Sequence, residues 1–128
     1  MTAKDTFAKL FAAFSAQDDE AARQLIAEDA VWRFPGRDGQ LAGDYHGADA
    51  IMGFLHKVRD LTDGTFAMQP EQMISEGDTV VLLFTGSGQR QGKTLSNPTC
   101  LVFKFAEEKL QEAREFVWDV RAVDAFWA

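Results

Sequence analysis

Apart from a short strand pattern at 30–34, apolar positions follow a helical period up to about Leu61, and a strand period from Thr65 to about Trp118. Phe7, Leu10, Phe11 and Phe14 stand at i, i+3, i+4 and i+7, which predicts an amphipathic helix over residues 3–16. Thr2, with Asp5 three residues on, resembles a capping box with Asp in place of the usual Glu. Ser15–Asp19 breaks that helix. Asp18 or Asp19 can cap a second one running to Glu28, with Ala21, Ala22, Leu25 and Ile26 as its buried stripe. Ala30–Phe34 reads as a strand, Trp32 and Phe34 on one face, Val31 and Arg33 on the other. Pro35-Gly36 ends it and opens a loop with further glycines at 39, 43 and 47, which carries Tyr45 and His46. A third helix is expected from Ala48 to Leu61. Ile51, Phe54, Leu55 and Val58 form its stripe, and His56 lies off it as a solvated residue.

The second half reads as strands. Thr65–Ile74 comes first, and Pro70 inside it implies an edge strand or a bulge. Thr79–Arg90 follows the turn Glu76-Gly77-Asp78; its TVVLLF segment is apolar on both faces, as a central strand would be. Gly86 and Gly88 share a face with Val80, Leu82 and Phe84, where they permit bending or leave space. On Thr94–Phe105, the residues Asn97, Thr99, Leu101, Phe103 and Phe105 share a face. On Lys109–Trp118, Ala113, Glu115 and Val117 share one. The tail places Val123, Phe126 and Trp127 at i, i+3 and i+4, a group that calls for docking on the domain or on a second subunit.

Three helices followed by a meander give an α+β fold in which a curved, mostly antiparallel sheet closes over the helices. Such an arrangement can leave a cone-shaped apolar pocket between the layers. At 128 residues the chain suits one domain spanning 1–128. Its net charge of −7 argues against a nucleic-acid face and against an anionic membrane surface. No stretch approaches a membrane span or a secretory signal, so a cytoplasmic location is expected. Cys100 is the only cysteine, which excludes an internal disulfide and reads as a buried, inert strand residue. Two histidines ten residues apart make no metal-ligand spacing, and no phosphate loop, nucleotide fingerprint or serine elbow is present. No metal and no cofactor are expected.

Several segments carry a family likeness: the paired N-terminal helices, Ala30-Val31-Trp32 before Pro35-Gly36, Leu41-Ala42-Gly43 with Tyr45 and Gly47, the strand NPTCLVFKF from Asn97, and the ending Asp124, Phe126-Trp127. In these the chain resembles the nuclear-transport-factor-2-like superfamily and, within it, the SnoaL-like proteins related to ketosteroid isomerases. The resemblance implies a cone-shaped fold with a strongly curved mixed sheet, a pocket, and commonly a homodimer through the outer sheet face. Members include isomerases, cyclases, hydrolases, dehydratases and non-catalytic binding domains, so fold alone assigns no reaction. The Tyr and two Asp that ketosteroid isomerases use fall at Leu10, Phe34 and Leu101 here, all apolar. Histidines often carried by close SnoaL-like relatives fall at Arg33 and Leu101.

The same alignment turns Glu115 toward the cavity, where desolvation would raise its pKa into the range of a general base. Glu115 is therefore the catalytic candidate, with Tyr45 and His46 at the loop's exit as weaker ones. Trp32, Phe34, Tyr45, Phe54 and Phe84 are expected to contact the ligand. So are Asn97, Thr99, Leu101, Phe103, Val117 and Trp127, with Asn97 and Thr99 able to orient a carbonyl or hydroxyl. Asp119 and Asp44 read equally as mouth acids or turn residues, and Arg33 as outward. Three function classes follow: a cofactor-free isomerase, cyclase or hydrolase acting on a small, largely apolar organic molecule; a non-catalytic ligand-binding or dimerisation module; and a structural adaptor using the outer sheet face.

Overall fold

The computed structural model describes residues 1–128. Its helical half opens with α1 (Ala3–Ser15) and α2 (Asp19–Gln24). Both begin where the sequence offers a cap. The Asp5 amide donates to Thr2 Oγ1 at 3.2 Å and the Thr2 amide to the Asp5 carboxylate at 3.1 Å, completing the capping box. Asp18 accepts from the Ala21 amide at 3.1 Å. The second helix stops at Gln24 rather than Glu28, because Ile26 already belongs to strand β1 (Ile26–Phe34). Ile26 lies opposite Leu110, and the Leu110 amide donates to the Leu25 carbonyl at 2.8 Å. A strand from the far end of the chain has captured backbone groups that a longer helix would have used. Local propensity is too weak to resist that.

Residues 43–46, expected as loop, form the short strand β2 (Gly43–His46), with Tyr45 opposite Trp32. Then follow α3 (Ala48–Leu61), β3 (Ala67–Glu76), β4 (Thr79–Arg90), β5 (Lys93–Ala106), β6 (Lys109–Val117) and α4 (Val120–Trp127). The six strands form one sheet in the order β2-β1-β6-β5-β4-β3, antiparallel except for the β1–β6 pair. Pro70 lies on the edge strand β3, where the register shifts between Pro70 and Gln72, as its missing N–H demands.

The mixed α+β sheet curls around α1–α3 to give the cone expected of this class. Its inner face is apolar: Val80, Leu82 and Phe84 of β4 and Leu101, Phe103 and Phe105 of β5 are buried. The outward residues Val81, Leu83, Cys100 and Val102 keep part of their surface exposed. Cys100 is thus half-exposed rather than buried, since strand alternation turns it away from the helices. No helix is long and apolar enough to cross a membrane.

The tail docks on its own chain. Asp119 caps α4 by accepting from the Ala122 amide at 3.1 Å, and Val123, Phe126 and Trp127 are buried. Arg90 Nη1 donates to the Phe126 and Ala128 carbonyl oxygens at 3.0 and 2.7 Å, and Lys93 Nζ to the Ala125 carbonyl at 2.9 Å. These cations occupy the acceptors that the end of a helix leaves open. On the opposite side of α4, the Asp124 carboxylate accepts from the consecutive amides of Arg37, Asp38 and Gly39 at 3.0, 3.2 and 3.1 Å. The Pro35-Gly36 break exists for this contact. Gly36 has φ +105°, and a Cβ there would collide with the Asp124 carboxylate.

Partial burial opposes ionisation of Asp124, but the three amides together outweigh it and hold its carboxyl below the usual range. A depressed native pKa means that the native state favours the anion. The stabilisation is present above the unfolded-state value and disappears as pH falls through the native one. Asp124→Ala is therefore expected to lower the melting temperature at neutral pH and to speed amide exchange at Arg37, Asp38 and Gly39. The difference from wild type should shrink on acidification; exchange and thermal melts across pH read both effects.

Candidate functional site

A cavity of about 470 Å³ lies between the inner sheet face and the helices, and 19 of its 30 lining residues are hydrophobic. Strand alternation supplies one side of the wall. β1 contributes Trp32 and Phe34; β5 contributes Asn97, Thr99, Leu101 and Phe103; β6 contributes Glu115 and Val117. Phe54 of α3, Phe84 of β4 and Trp127 of α4 also line it, so of the residues expected to contact a ligand only Tyr45 lies outside the cavity wall. Leu10, Phe34 and Leu101, the positions that the resemblance sets against the isomerases' Tyr and two Asp, all border the cavity, so its wall is apolar at those three points.

Glu115 is the ionisable group set among the aromatic side chains. It lies opposite Leu101 on β5, while Ala113, two residues earlier, lies opposite Trp32 on parallel β1. This register brings Trp32 Nε1 to Glu115 Oε1 at 3.0 Å. The indole is held in turn by Phe54, at 5.7 Å between ring centroids, and by Phe103, edge-on at 5.8 Å. Such pairs contribute about 0.5–1.5 kcal/mol each beyond their burial. Glu115 is partly buried and keeps some accessible area where it borders the cavity. Burial pushes its carboxyl up to about 7, and the Trp32 bond, which favours the anion, offsets part of that rise.

The other polar groups of the inner wall are occupied within the chain. Asn97 exchanges two bonds with the Asp119 backbone, at 3.0 and 3.2 Å, and Thr99 Oγ1 donates to the Asn97 carbonyl at 3.1 Å. Tyr45 and His46, the weaker catalytic candidates, do not reach the cavity. The Tyr45 ring packs on Phe54 at 4.6 Å and its hydroxyl donates to the Leu41 carbonyl at 2.8 Å. Burial raises the Tyr45 pKa further. His46, the next residue of β2, is exposed. Neighbouring the loop in sequence did not make these side chains part of the pocket, because β2 is an outer strand that pairs only with β1. Arg33 points outward, bonded to Glu112 at 3.0 Å and Asp44 at 2.7 Å. Asp44 is thus a surface partner and Asp119 a helix cap.

Three polar side chains stand at the rim that the sequence reading does not place at the cavity, Asp19 being expected only as a possible helix cap and His56 as a solvated residue. Asp19, His56 and Arg59 line the cavity alongside the exposed Ser15 and Gln17, which marks the opening between the end of α1, the start of α2 and α3. His56 Nε2 and Asp19 Oδ2 are 2.9 Å apart. A signal was available: Met52, Leu55, His56 and Arg59 fall at i, i+3, i+4 and i+7, a second face of α3 beside its core stripe. Phe7, Phe11 and Phe14 of α1, expected simply as core, also border the cavity. No three His, Cys, Asp or Glu side chains gather where they could hold a metal ion.

A curved mixed sheet wrapped around helices, with a cavity inside the cone, defines a nuclear-transport-factor-2-like protein. The chain belongs to the SnoaL-like domain family, whose pattern matches residues 7–113. It is 29% identical over 125 residues to the uncharacterised protein Rv0034 of Mycobacterium tuberculosis, covering 97% of this chain and 95% of that one. Among solved structures it is similar to Bal32a, from a soil-derived mobile gene cassette, at 31% identity and TM-score 0.91, covering 98% of this chain and 96% of the other. It shares the fold of TerC, crystallised with polyporic acid, at 21% identity and TM-score 0.81, covering 97% and 96%.

The raised Glu115 carboxyl has a consequence for stability that needs no knowledge of ligand. Its native pKa of about 7 exceeds the ordinary 4.5, so the folded state binds the extra proton between those values. Stability from this group falls as pH rises from 4.5 through 7 and is constant above, an effect of up to about 3 kcal/mol. Glu115→Gln is expected to abolish that component, and to be more stable than wild type above pH 7 relative to their difference at acid pH. Chemical denaturation at several pH values measures it; parallel pH profiles for the two proteins would show that Glu115 is solvated.

Proposed function

We propose that this protein takes a small, largely apolar organic molecule into the cone and moves a proton on it with Glu115, as a cofactor-free isomerase, cyclase or hydrolase. One observation carries the reading: a desolvated carboxyl poised near neutrality borders a largely apolar cavity, bonded only to an indole N–H. Near pH 7 such a group is part anion and part acid, so it can accept a proton from a carbon acid or from water and return it. The aromatic wall excludes bulk water and would set a flat or ring-containing substrate against the carboxylate. TerC, a fold relative, was crystallised with polyporic acid, which is compatible with ring-bearing ligands in this fold.

A second reading is favoured by a separate observation. Asn97, Thr99 and Tyr45 already bond within the chain, which leaves Glu115 without a free hydrogen-bonding partner group beside it on the inner wall. On this reading the protein is a binding module. Exchange of substrate protons with deuterated water, followed by NMR on cavity-sized cyclic ketones, separates the two. The enzyme reading expects catalysed exchange that rises with pH through about 7 and falls by about 10²–10⁴-fold in Glu115→Gln. Saturable binding with no exchange in either protein would leave the module.

The assembly we propose is a homodimer through the outer sheet face. Strand register aligns Ile74, Val81 and Val102 in one outward row, and Leu83, Cys100 and Phe116 in the next. Phe116 is 52% exposed and Ile74 47%, and Trp118 beyond them 86%. An exposed apolar patch on a sheet face with no helix over it, bordered here by Arg114 and Gln72, is best covered by a second copy. Sedimentation of wild type at twice the chain mass, and of Leu83→Arg at the single-chain mass with an unchanged circular dichroism spectrum, is the expected result; a monomeric wild type would sink the proposal.

A further inference from the structure

Every charged side chain bordering the cavity has a partner in the chain except one. Glu115 is bonded to Trp32 and Asp19 to His56, but the guanidinium of Arg59 takes part in no ion pair and no side-chain hydrogen bond. It is half-buried on α3, facing the cavity at the rim. A guanidinium carries five donors in a planar fork suited to a carboxylate or another flat anion. Leaving it partly desolvated without an acceptor costs stability, and an acceptor brought in by a ligand would relieve that cost.

The position along α3 separates this cation from the carboxylate. Phe54 touches the Trp32 that holds Glu115, and Arg59 is five residues further on, about 7.5 Å along the helix axis. The cavity therefore has an inner end with a proton-carrying acid among aromatic rings, and an outer end with a free cation. From this geometry we infer that Arg59 is a specificity determinant that binds the anionic group of an amphipathic ligand, a compact carboxylate or enolate with an apolar ring body that extends inward toward Trp32 and Glu115. The polarity also fixes orientation: an anion placed at the inner end would face Glu115, and placed at the rim it meets Arg59. His56, already engaged by Asp19, borders the same opening and is not free to take that role.

This inference rests on the ligand-binding reading of the cavity, and the two can fail separately. The test is calorimetric titration of 2-naphthylacetate and its neutral amide, 2-naphthylacetamide, at about pH 6, where an ordinary carboxylic acid is ionised. Wild type should bind the acid about tenfold more tightly than the amide, as one charge-assisted contact would give. Arg59→Gln should bring the acid to the affinity of the amide without changing the amide, and Arg59→Lys should keep a preference for the acid. Equal binding of both ligands to wild type, or a preference that survives in Arg59→Gln, would overturn the role of Arg59 while leaving the cavity reading intact. Val117→Trp, which fills the cavity wall, should abolish binding of both. An amide that fails to bind wild type, or still binds Val117→Trp, would overturn the cavity reading and this inference with it.

Discussion

The parallel pairing of β1 with β6 is the constraint on which the rest of the molecule depends. It joins the first strand of the chain to the last, puts β1 between β2 and β6, and completes one continuous sheet. It ends α2 early by recruiting Ile26. It also sets the register that brings the Trp32 indole to the Glu115 carboxylate across strands distant in sequence. A shift of one residue in that pairing would turn Glu115 outward and place Arg114 or Phe116 against the helices. The charge cluster of Arg33 with Glu112 and Asp44 on the outer face belongs to the same register and opposes such a shift.

Helix α4 works from the other end of the cone. It carries Val123 and Trp127 into the cavity wall, and it is gripped on one side by Arg90 and Lys93 and on the other by the amides of residues 37–39. Several partners from separate parts of the chain thus hold one short helix. A helix of this length has little stability of its own, so its position follows from those contacts. The glycine at position 36 is the covalent counterpart of that grip, since any larger residue would displace the Asp124 carboxylate.

How much of the site could be read in advance differs residue by residue. The inward face of Glu115 comes from the family likeness, and alternation on the strands then groups it with Ala113 and Val117 and groups Leu101 with Phe103. Tyr45 and His46 seemed close to the pocket because they border its loop in sequence, yet pairing of β2 with β1 sends one onto Phe54 and the other into solvent. His56 and Arg59 stood on a secondary face of α3, which single-stripe reasoning treats as surface. They reach the cavity because the opening lies between three helices, a relation no single helix encodes.

The sequence by itself determined the longer helices and strands, the cap at Thr2, a second cap at Asp18 or Asp19, an edge or a bulge at Pro70, the residues that share a face on β4 to β6, and the family likeness. These are local: periodicity, capping and turn chemistry act within a few residues. Only the tertiary structure decided where α2 ends, that residues 43–46 form a strand, what the tail docks on, and which polar groups remain without partners around the cavity. Each of those depends on a contact between segments far apart in the chain, where competition for backbone hydrogen bonds and for apolar surface outweighs local preference.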